Sequence, residues 1–146
     1  MVATKLEGQA VAALVWSALA ADTGAGGVST LLGGRLYREK VPQAAALPAL
    51  FVGAVRWVPT NTRSGRRVAV QAYLDVHLVG DGNDYGAINP AAFRADAVVH
   101  GLAGSDSGVN VVKLENVGPD LAYTEDEAGK LYSHIVLSYR TPAYAT

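Results

Sequence analysis

The stretch RRVAVQAYLDVHLV, residues 66–79, carries an apolar side chain at every second position. Successive side chains of a strand point to opposite faces of a sheet, so this segment would have one continuous apolar face. That face consists of Val68, Val70, Ala72, Leu74, Val76 and Leu78. The pattern predicts a long antiparallel strand with one buried face.

The preceding apolar segment, residues 49–58, predicts a second strand in which Phe51, Val55 and Trp57 share one face. Between the two strands, PTNTRSGR at residues 59–66 is polar and contains a glycine, as is typical of a turn. We therefore expect the two strands to form a long β-hairpin whose tip is rich in arginine.

The other predicted elements are helices over residues 5–21 and 89–103 and strands at residues 36–38, 109–116 and 131–141. The resulting order, α-β-β-β-α-β-β, predicts an α+β fold with a mostly antiparallel sheet and the helices packed on one face. At 146 residues the chain is long enough to bury a sizeable core, and we expect a single domain covering residues 1–146.

Two details of the C-terminal half follow from local patterns. The last two strands should be joined by an acidic turn, TEDEAGK, at residues 124–130. The second helix should pack against the sheet through its larger apolar side chains. These are Phe93, Ala97, Val98 and Leu102.

The N-terminal run VAALVWSALAAD, residues 11–22, is apolar enough to suggest a signal peptide. Glu7 cancels the charge of Lys5, however, which leaves a poor basic region in front of it. The run is also shorter than the roughly 20 residues needed to cross a bilayer. We interpret it as a buried helix.

Opposite charges are segregated along the chain, although the net charge is only −1. Residues 23–74 contain seven Lys and Arg against one acid, Glu39, whereas residues 75–127 contain ten Asp and Glu against Arg94 and Lys113. Such a separation suits self-association or binding to a stacked partner. Two ordinary solvated surfaces would give the same pattern, so both readings stay open.

Arginines concentrate at the tip of the predicted hairpin, at Arg63, Arg66 and Arg67. One interpretation is an electrostatic contact with an acidic protein surface or with a nucleic-acid backbone. The other is a solubilising hairpin end that protects a sheet edge. Few aromatic residues are interleaved for stacking on single-stranded nucleic acid. A contact with protein, or a weak non-specific contact with nucleic acid, is therefore favoured over the solubilising hairpin end.

No residue pattern predicts a catalytic, metal or cofactor site. The chain has no cysteine, which excludes a disulfide scaffold, a thiolate zinc site and a cysteine nucleophile. Its three histidines lack the local spacing of metal ligands. Asp75 and His77 do share a strand face, which leaves open a small ligand-binding or enzymatic domain that uses this pair.

Two prolines, Pro42 and Pro48, bracket an alanine run in LLGGRLYREKVPQAAALPALFV, residues 31–52. This arrangement, followed by a long alternating strand, a helix and a closing strand HIVLSYRTPAY, resembles the tail terminator (tail completion) proteins of long-tailed bacteriophages. The matching positions are Leu31, Leu32, Arg35, Leu36, Tyr37, Pro42 and Pro48.

The resemblance implies a structural protein of the virion, assembled in the host cytoplasm, and not an enzyme. Such a subunit would form a homohexameric ring that caps the tail tube, ends its polymerisation and joins it to the head connector. Its partners would be itself, the tail tube protein and a head connector or neck protein. DNA would pass through the lumen without sequence-specific binding, and no cofactor, metal or membrane is implied. A head–tail connector or neck subunit is the alternative within this class.

A ring of this kind needs two complementary patches on each subunit, and the segregated charges could supply them. Prolines lack a backbone donor and hold the residue before them extended, which keeps the two-proline segment out of the sheet. We therefore expect it to be a subunit-contact arm beside the basic residues. The candidate interface residues are Arg35, Arg38, Lys40, Pro42, Pro48, Arg63, Arg66 and Arg67.

Overall fold

The computed structural model describes residues 6–42, 44–61, 67–83 and 85–145, without the side chains of residues 54, 61, 67 and 68. Two of the three arginines at the predicted hairpin tip, Arg63 and Arg66, lie outside the described residues. The third, Arg67, is described by its backbone alone, as the first residue of a strand.

The described residues form three α-helices and eight strands, with a short 3₁₀-helix at Tyr85–Ala87. The helices are α1 (Glu7–Ala20), α2 (Val28–Leu31) and α3 (Asn89–Val99). The strands are β1 (Leu36–Arg38), β2 (Ala49–Asn61), β3 (Arg67–Asp81), β4 (Gly104–Asp106), β5 (Val109–Val111), β6 (Glu115–Asn116), β7 (Leu121–Glu127) and β8 (Lys130–Ala145).

All eight strands belong to one mixed sheet in the order β1-β2-β3-β8-β5-β4, and β6 and β7 also pair with β8. Strands β1 and β2 are parallel, and every other pair is antiparallel. The predicted α+β fold with a mostly antiparallel sheet is therefore confirmed. So is the long hairpin, which is formed by β2 and β3.

The helices cover one face of the sheet, and the apolar side of β3 lies beneath them. Val70, Ala72, Leu74, Val76 and Leu78 are all buried, as the alternation predicts. From β8, the same layer receives Ile135, Leu137 and Tyr139. Each large apolar side chain buried in this way stabilises the fold by about 1.5–3 kcal/mol.

Helix α1 packs on this face through Val11, Val15 and Leu19, which are fully buried and recur at helical spacing. Near its start, Gly8 lies against the ring of Trp57 on β2. Leu14 packs over Gly104 of β4, so the sheet curls around this helix.

The predicted faces of β2 are wrong beyond its first few residues. Gly53 pairs with Asp75, but Arg56 pairs with Tyr73, so β2 contains one extra residue in between. This bulge reverses the alternation. As a result, Val55 and Trp57 pack against the helix-covered core, whereas Phe51 lies on the opposite face.

The predicted packing stripe of helix α3 is correct only in part, since Val98 and Leu102 pack partly buried against the core, whereas Phe93 and Ala97 are exposed. Ala91, Ala95 and Val99 are buried, whereas Phe93 is 83% exposed. Small alanine side chains let the helix approach its neighbours closely, and the stripe bearing Phe93 faces away. The helix also ends at Val99 rather than near residue 103.

The predicted acidic turn over residues 124–130 is mostly strand. Strand β7 pairs with β8 along its whole length, and the turn itself consists only of Ala128 and Gly129. Both turn residues have positive φ angles, 53° and 84°, which suits a tight two-residue hairpin. The predicted strand at residues 109–116 is divided between β5 and β6.

Candidate functional site

The two-proline segment, residues 39–48, connects the parallel strands β1 and β2 by crossing the face of the sheet that the helices leave open. Its start lies over β2, since a Cβ added at Gly53 would be 3.0 Å from the carbonyl oxygen of Glu39. Further along, the segment forms one wall of a cleft of about 520 Å³. The cleft is also lined by Val79 and Tyr132 from the open face of the sheet.

The rim of this cleft is acidic. Asp81, Glu125 and Glu127 lie around it, together with one cation, Lys130. The Nζ atom of Lys130 is 3.8 Å from a carboxylate oxygen of Asp81, and both side chains are largely exposed. The carboxylates of β7 therefore give this end of the sheet a negative charge.

Most of the predicted interface residues that the structure describes lie at the opposite edge of the sheet, where Arg35, Arg38 and Lys40 are on or next to β1. Pro42 instead lines the acidic cleft. Arg35, which directly precedes β1, donates from Nε to the carbonyl oxygen of Pro48, at 2.7 Å, and so ties the last residue of the two-proline segment to the start of β1. Arg38, Lys40 and Pro42 are exposed. Arg35 thus holds the segment in place, while Arg38 and Lys40 present their charges to solvent.

A pair of histidines joins β3 to β8 on the open face. The Nε2 atom of His77 is 2.9 Å from Nδ1 of His134. His77 also stacks on Phe51, and His134 stacks on Tyr123, each with a centroid separation of 4.6 Å. The four rings thus link β2, β3, β8 and β7 across the sheet.

Both histidines are held in the neutral form near pH 7. Burial, and to a smaller extent the nearby His134, lower the pKa of His77 to about 4. Burial also lowers the pKa of His134, against a smaller opposite effect of Glu125, whose carboxylate lies 3.8 Å from Nε2. When both rings are neutral, one ring can donate an N–H to the nitrogen lone pair of the other, which gives the hydrogen bond that the short contact requires.

The alternative hypothesis of an Asp75–His77 site finds little support in the geometry. Asp75 accepts a hydrogen bond from the hydroxyl of Ser138, at 2.9 Å, whereas the partner of His77 is His134. Within the part of the chain that the structure describes, no three His, Cys, Asp or Glu side chains cluster as a metal site.

Strands β1 and β7 form two edges of the sheet at the same level. One row of paired residues runs across the five strands, from Tyr37 through Phe51, His77 and Val136 to Leu121. Four strand spacings of about 4.8 Å separate the two edges by roughly 19 Å. The basic residues therefore flank one edge and the acidic residues flank the other.

Sequence reasoning missed strand β7 as part of this site. All seven of its residues are exposed, so it has no buried face to detect. The usable signal was the Ala-Gly pair at residues 128–129, which allows a two-residue hairpin between two segments.

Two further polar contacts that the sequence did not indicate stabilise the helices. Arg94 of α3 forms a two-pronged ion pair with Asp22, with N–O distances of 2.8 and 2.9 Å. The hydroxyl of buried Tyr139 donates to Asp96, at 2.6 Å. Both contacts lie on the helix-covered side and serve the fold rather than the open face.

Among the described residues, no helix has the length and apolar character needed to cross a bilayer.

The family model described as "Tail completion protein gp17" matches residues 13–142. A search of the curated proteins finds no match. Among solved structures, the chain is similar to a chain from the "Virion of native gene transfer agent (GTA) particle", with a TM-score of 0.75 and 17% sequence identity. That alignment covers 97% of this chain and 100% of the other, and it shows a shared fold.

Proposed function

The chain belongs to the family of tail completion protein gp17, and from this premise we propose that it forms a closed ring of identical subunits. Membership of the family makes it a structural protein of the virion tail. The ring is proposed to be a homohexamer that caps the tail tube and ends its polymerisation. On its other side, it would join the tube to the head connector or neck protein.

The observation that carries this proposal is the charge difference between the two edges of the sheet. Identical subunits close into a ring when each carries two different, complementary patches related by a rotation. Arg38 and Lys40 lie at the β1 edge, and Glu125 and Glu127 lie at the β7 end. Opposite charges of this kind guide subunits into the correct orientation and disfavour wrong contacts.

The two-proline segment fits the same proposal as a contact arm. It leaves β1 directly, and its exposed Pro42 and small alanines can lie close against a neighbouring surface. DNA would pass through the ring without sequence-specific contacts. Arg63, Arg66 and Arg67 are proposed to contact either a neighbouring protein or this DNA, and their neutralisation should separate the two cases. A DNA contact predicts an affinity that falls steeply with salt.

Light scattering over a range of protein concentrations, together with electron microscopy of purified tails, tests the ring. We expect a discrete hexameric species or a ring at the head-proximal end of the tube. Tubes assembled without the protein should grow beyond their normal length, and adding it should stop growth. A monomer at every concentration, with no ring on the tubes, would contradict the proposal. A ring bound to the head connector but absent from tube ends would instead indicate a neck subunit.

A further inference from the structure

We propose that strand β7 of one copy pairs with strand β1 of the next copy, antiparallel, so that the sheet continues from subunit to subunit around the ring. This inference rests on the proposed function, because it names the surfaces through which identical subunits would join. Four observations carry it: the hydrogen-bonding groups that β7 leaves outward, those that β1 leaves outward, the strand directions and the charges.

The outer edge of strand β7 carries hydrogen-bonding groups in a regular row. The two residues that flank a two-residue hairpin turn, here Glu127 and Lys130, exchange backbone hydrogen bonds, and this pattern recurs at every second pair. The intervening residues of β7 therefore point their N–H and C=O groups away from β8. These are Ala122, Thr124 and Asp126. No strand among the described residues pairs with this edge.

In the part of the chain that the structure describes, no strand pairs with the outer edge of β1, where one acceptor and one donor point outward. On the side facing β2, the carbonyl oxygen of Arg35 and the N–H of Glu39 form hydrogen bonds with β2. Because the backbone groups of successive strand residues point to alternate sides, those of Leu36 and Arg38 point away from β2. Leu36 N–H donates to Gly34, and Arg38 C=O accepts from Lys40. The Leu36 C=O and the Arg38 N–H remain directed outward.

These outward groups match in direction and spacing. Since β1 is parallel to β2, whereas β3, β8 and β7 alternate in direction, β1 of a neighbouring copy would run antiparallel to β7. Leu36 C=O and Arg38 N–H can then bond to two successive outward residues of β7. This geometry places Tyr37 opposite Tyr123 or opposite Glu125. In both registers the open faces of the two copies lie on the same side.

The charges of the two strands and the exposure of β7 favour pairing of β7 with β1 over a β7 edge that stays exposed to solvent. A seven-residue edge strand with exposed backbone groups is prone to uncontrolled pairing unless it is covered or charged. Here Glu125, Asp126 and Glu127 supply the negative charge, and Arg38 and Lys40 are exposed at the other edge. Pairing of β7 with a second β7 would bring like charges together, whereas pairing with β1 brings opposite charges together.

Engineered disulfides test the contact directly, because the natural chain has no cysteine that could interfere. Residues opposite each other in a non-hydrogen-bonded antiparallel pair have Cα atoms about 4.5 Å apart, within disulfide range. We expect oxidised Tyr37→Cys/Tyr123→Cys or Tyr37→Cys/Glu125→Cys protein to give a ladder of covalent oligomers on a non-reducing gel. The matched control, Tyr37→Cys/Phe93→Cys, places the second thiol on the exposed side of α3 and should give no ladder.

A proline substitution supplies a second test that keeps the subunit folded. Thr124→Pro removes an N–H that points outward and so costs no backbone hydrogen bond within the subunit; it also removes the hydroxyl of Thr124. We expect this variant to keep its circular dichroism spectrum and to lose the oligomer. The control Thr124→Val keeps the N–H and loses only the hydroxyl, which contacts Tyr85 at 3.1 Å. It should assemble like the natural protein.

The outcomes separate this inference from the proposed function. The strand pairing would be overturned, and the ring proposal left intact, by two results together. Both cysteine variants would form normal rings without covalent ladders, and Thr124→Pro would also form normal rings. A ladder from the Phe93 control as strong as from the designed pairs would also overturn the strand pairing. If the natural protein forms no ring in solution or on tails, both the function and the pairing are wrong.

Discussion

The imidazole rings of His77 and His134 meet at 2.9 Å although 57 residues separate them in the chain. The contact exists because β3 and β8 pair in a register that sets Val79 opposite His134, which leaves His77 two residues away on the same face. A hydrogen bond between two rings needs at least one unprotonated nitrogen, so full protonation of both histidines would break it. The pair therefore couples the open face of the sheet to pH.

Stability should fall as the pH drops from about 6.5 to about 4. An unfolded histidine has a pKa near 6.5, whereas the folded pKa of His77 is about 4, so only the unfolded chain binds a proton in this window. The free energy of unfolding should decrease by about 1–2 kcal/mol, a value reduced because His77 is only partly buried. Denaturant titrations at pH 7 and pH 4.5 measure this change.

His77→Phe is the matched variant for this pH effect. A phenyl ring keeps the stack on Phe51 and cannot be protonated, so the variant should lose less stability on acidification than the natural protein. His100→Phe serves as the control, because His100 is exposed and outside the ring cluster. Identical pH dependence in the natural protein and in His77→Phe would contradict the assignment.

Asp22 should stabilise the junction of the helices through its charge. Its carboxylate pairs with Arg94 and accepts the backbone N–H of Val28 at 2.9 Å, which lowers its pKa to about 2. A lowered carboxyl pKa gives stability that is present above pH 3.8 and is lost between pH 3.8 and pH 2. Asp22→Ala should lose about 1–2 kcal/mol at pH 7, mostly from the lost bond to the first turn of α2. Asp22→Asn should lose less.

The comparison of Asp22→Asn with the natural protein at two pH values isolates the charge. Their stabilities, measured by guanidinium denaturation, should differ at pH 7 and converge near pH 2. A difference that stays constant over this range would show that the ion pair contributes nothing through its charge.

Gly8 should tolerate no side chain, despite lying in a helix. A Cβ at this position would overlap the six-membered ring of Trp57. Gly8→Ala gains up to about 1 kcal/mol in helix propensity but must displace the tryptophan, which typically costs about 1–3 kcal/mol. We expect a net loss in urea denaturation. Gly24→Ala is the control, because a Cβ there has nothing within 4 Å, and it should be neutral. A stabilised Gly8→Ala would refute the close packing.

The sequence predicted β3 well because one side of that strand is buried from Val70 to Leu78. Burial on one side imposes an alternation of period two, and Leu74 and Val76 follow it within the hairpin as expected. The same reasoning failed for Val55 and Trp57, because a bulge inserts one residue into the strand and the sequence pattern does not show where. The periodicity of apolar residues shows which side chains share a face of a strand, but it does not show where the pairing register between two strands shifts.

The candidate site was predictable only in part. Charge and the two prolines pointed to Arg38, Lys40 and Pro42; Arg38 and Lys40 are exposed at the β1 edge, whereas Pro42 lines the acidic cleft, and their role as an interface stays a prediction. Strand β7 was not predictable from its own residues, since its strand conformation comes from pairing with β8 and not from burial. The His77–His134 pair was hidden for a similar reason, because it depends on a register between strands that are distant in the chain.

Charge reversal of one edge at a time should block assembly and should be rescued by mixing. Glu125→Lys/Glu127→Lys makes the β7 edge positive, and Arg38→Glu/Lys40→Glu makes the β1 edge negative. Each variant alone would bring like charges together at every contact, so neither should form rings at low salt. In an equal mixture, every contact between the two variants pairs opposite charges. Native mass spectrometry should then find rings in which the two variants alternate.

This alternation makes the mixing experiment more informative than either variant alone. Alternating subunits close a ring only when their number is even, so rescue with equal amounts of both variants is expected of a hexamer and is forbidden for an odd-numbered ring. Lys113→Glu, which changes the net charge away from both edges, is the control and should assemble alone. Rings formed by either edge variant by itself, or a mixture that stays monomeric while the natural protein assembles, would show that these two edges do not meet.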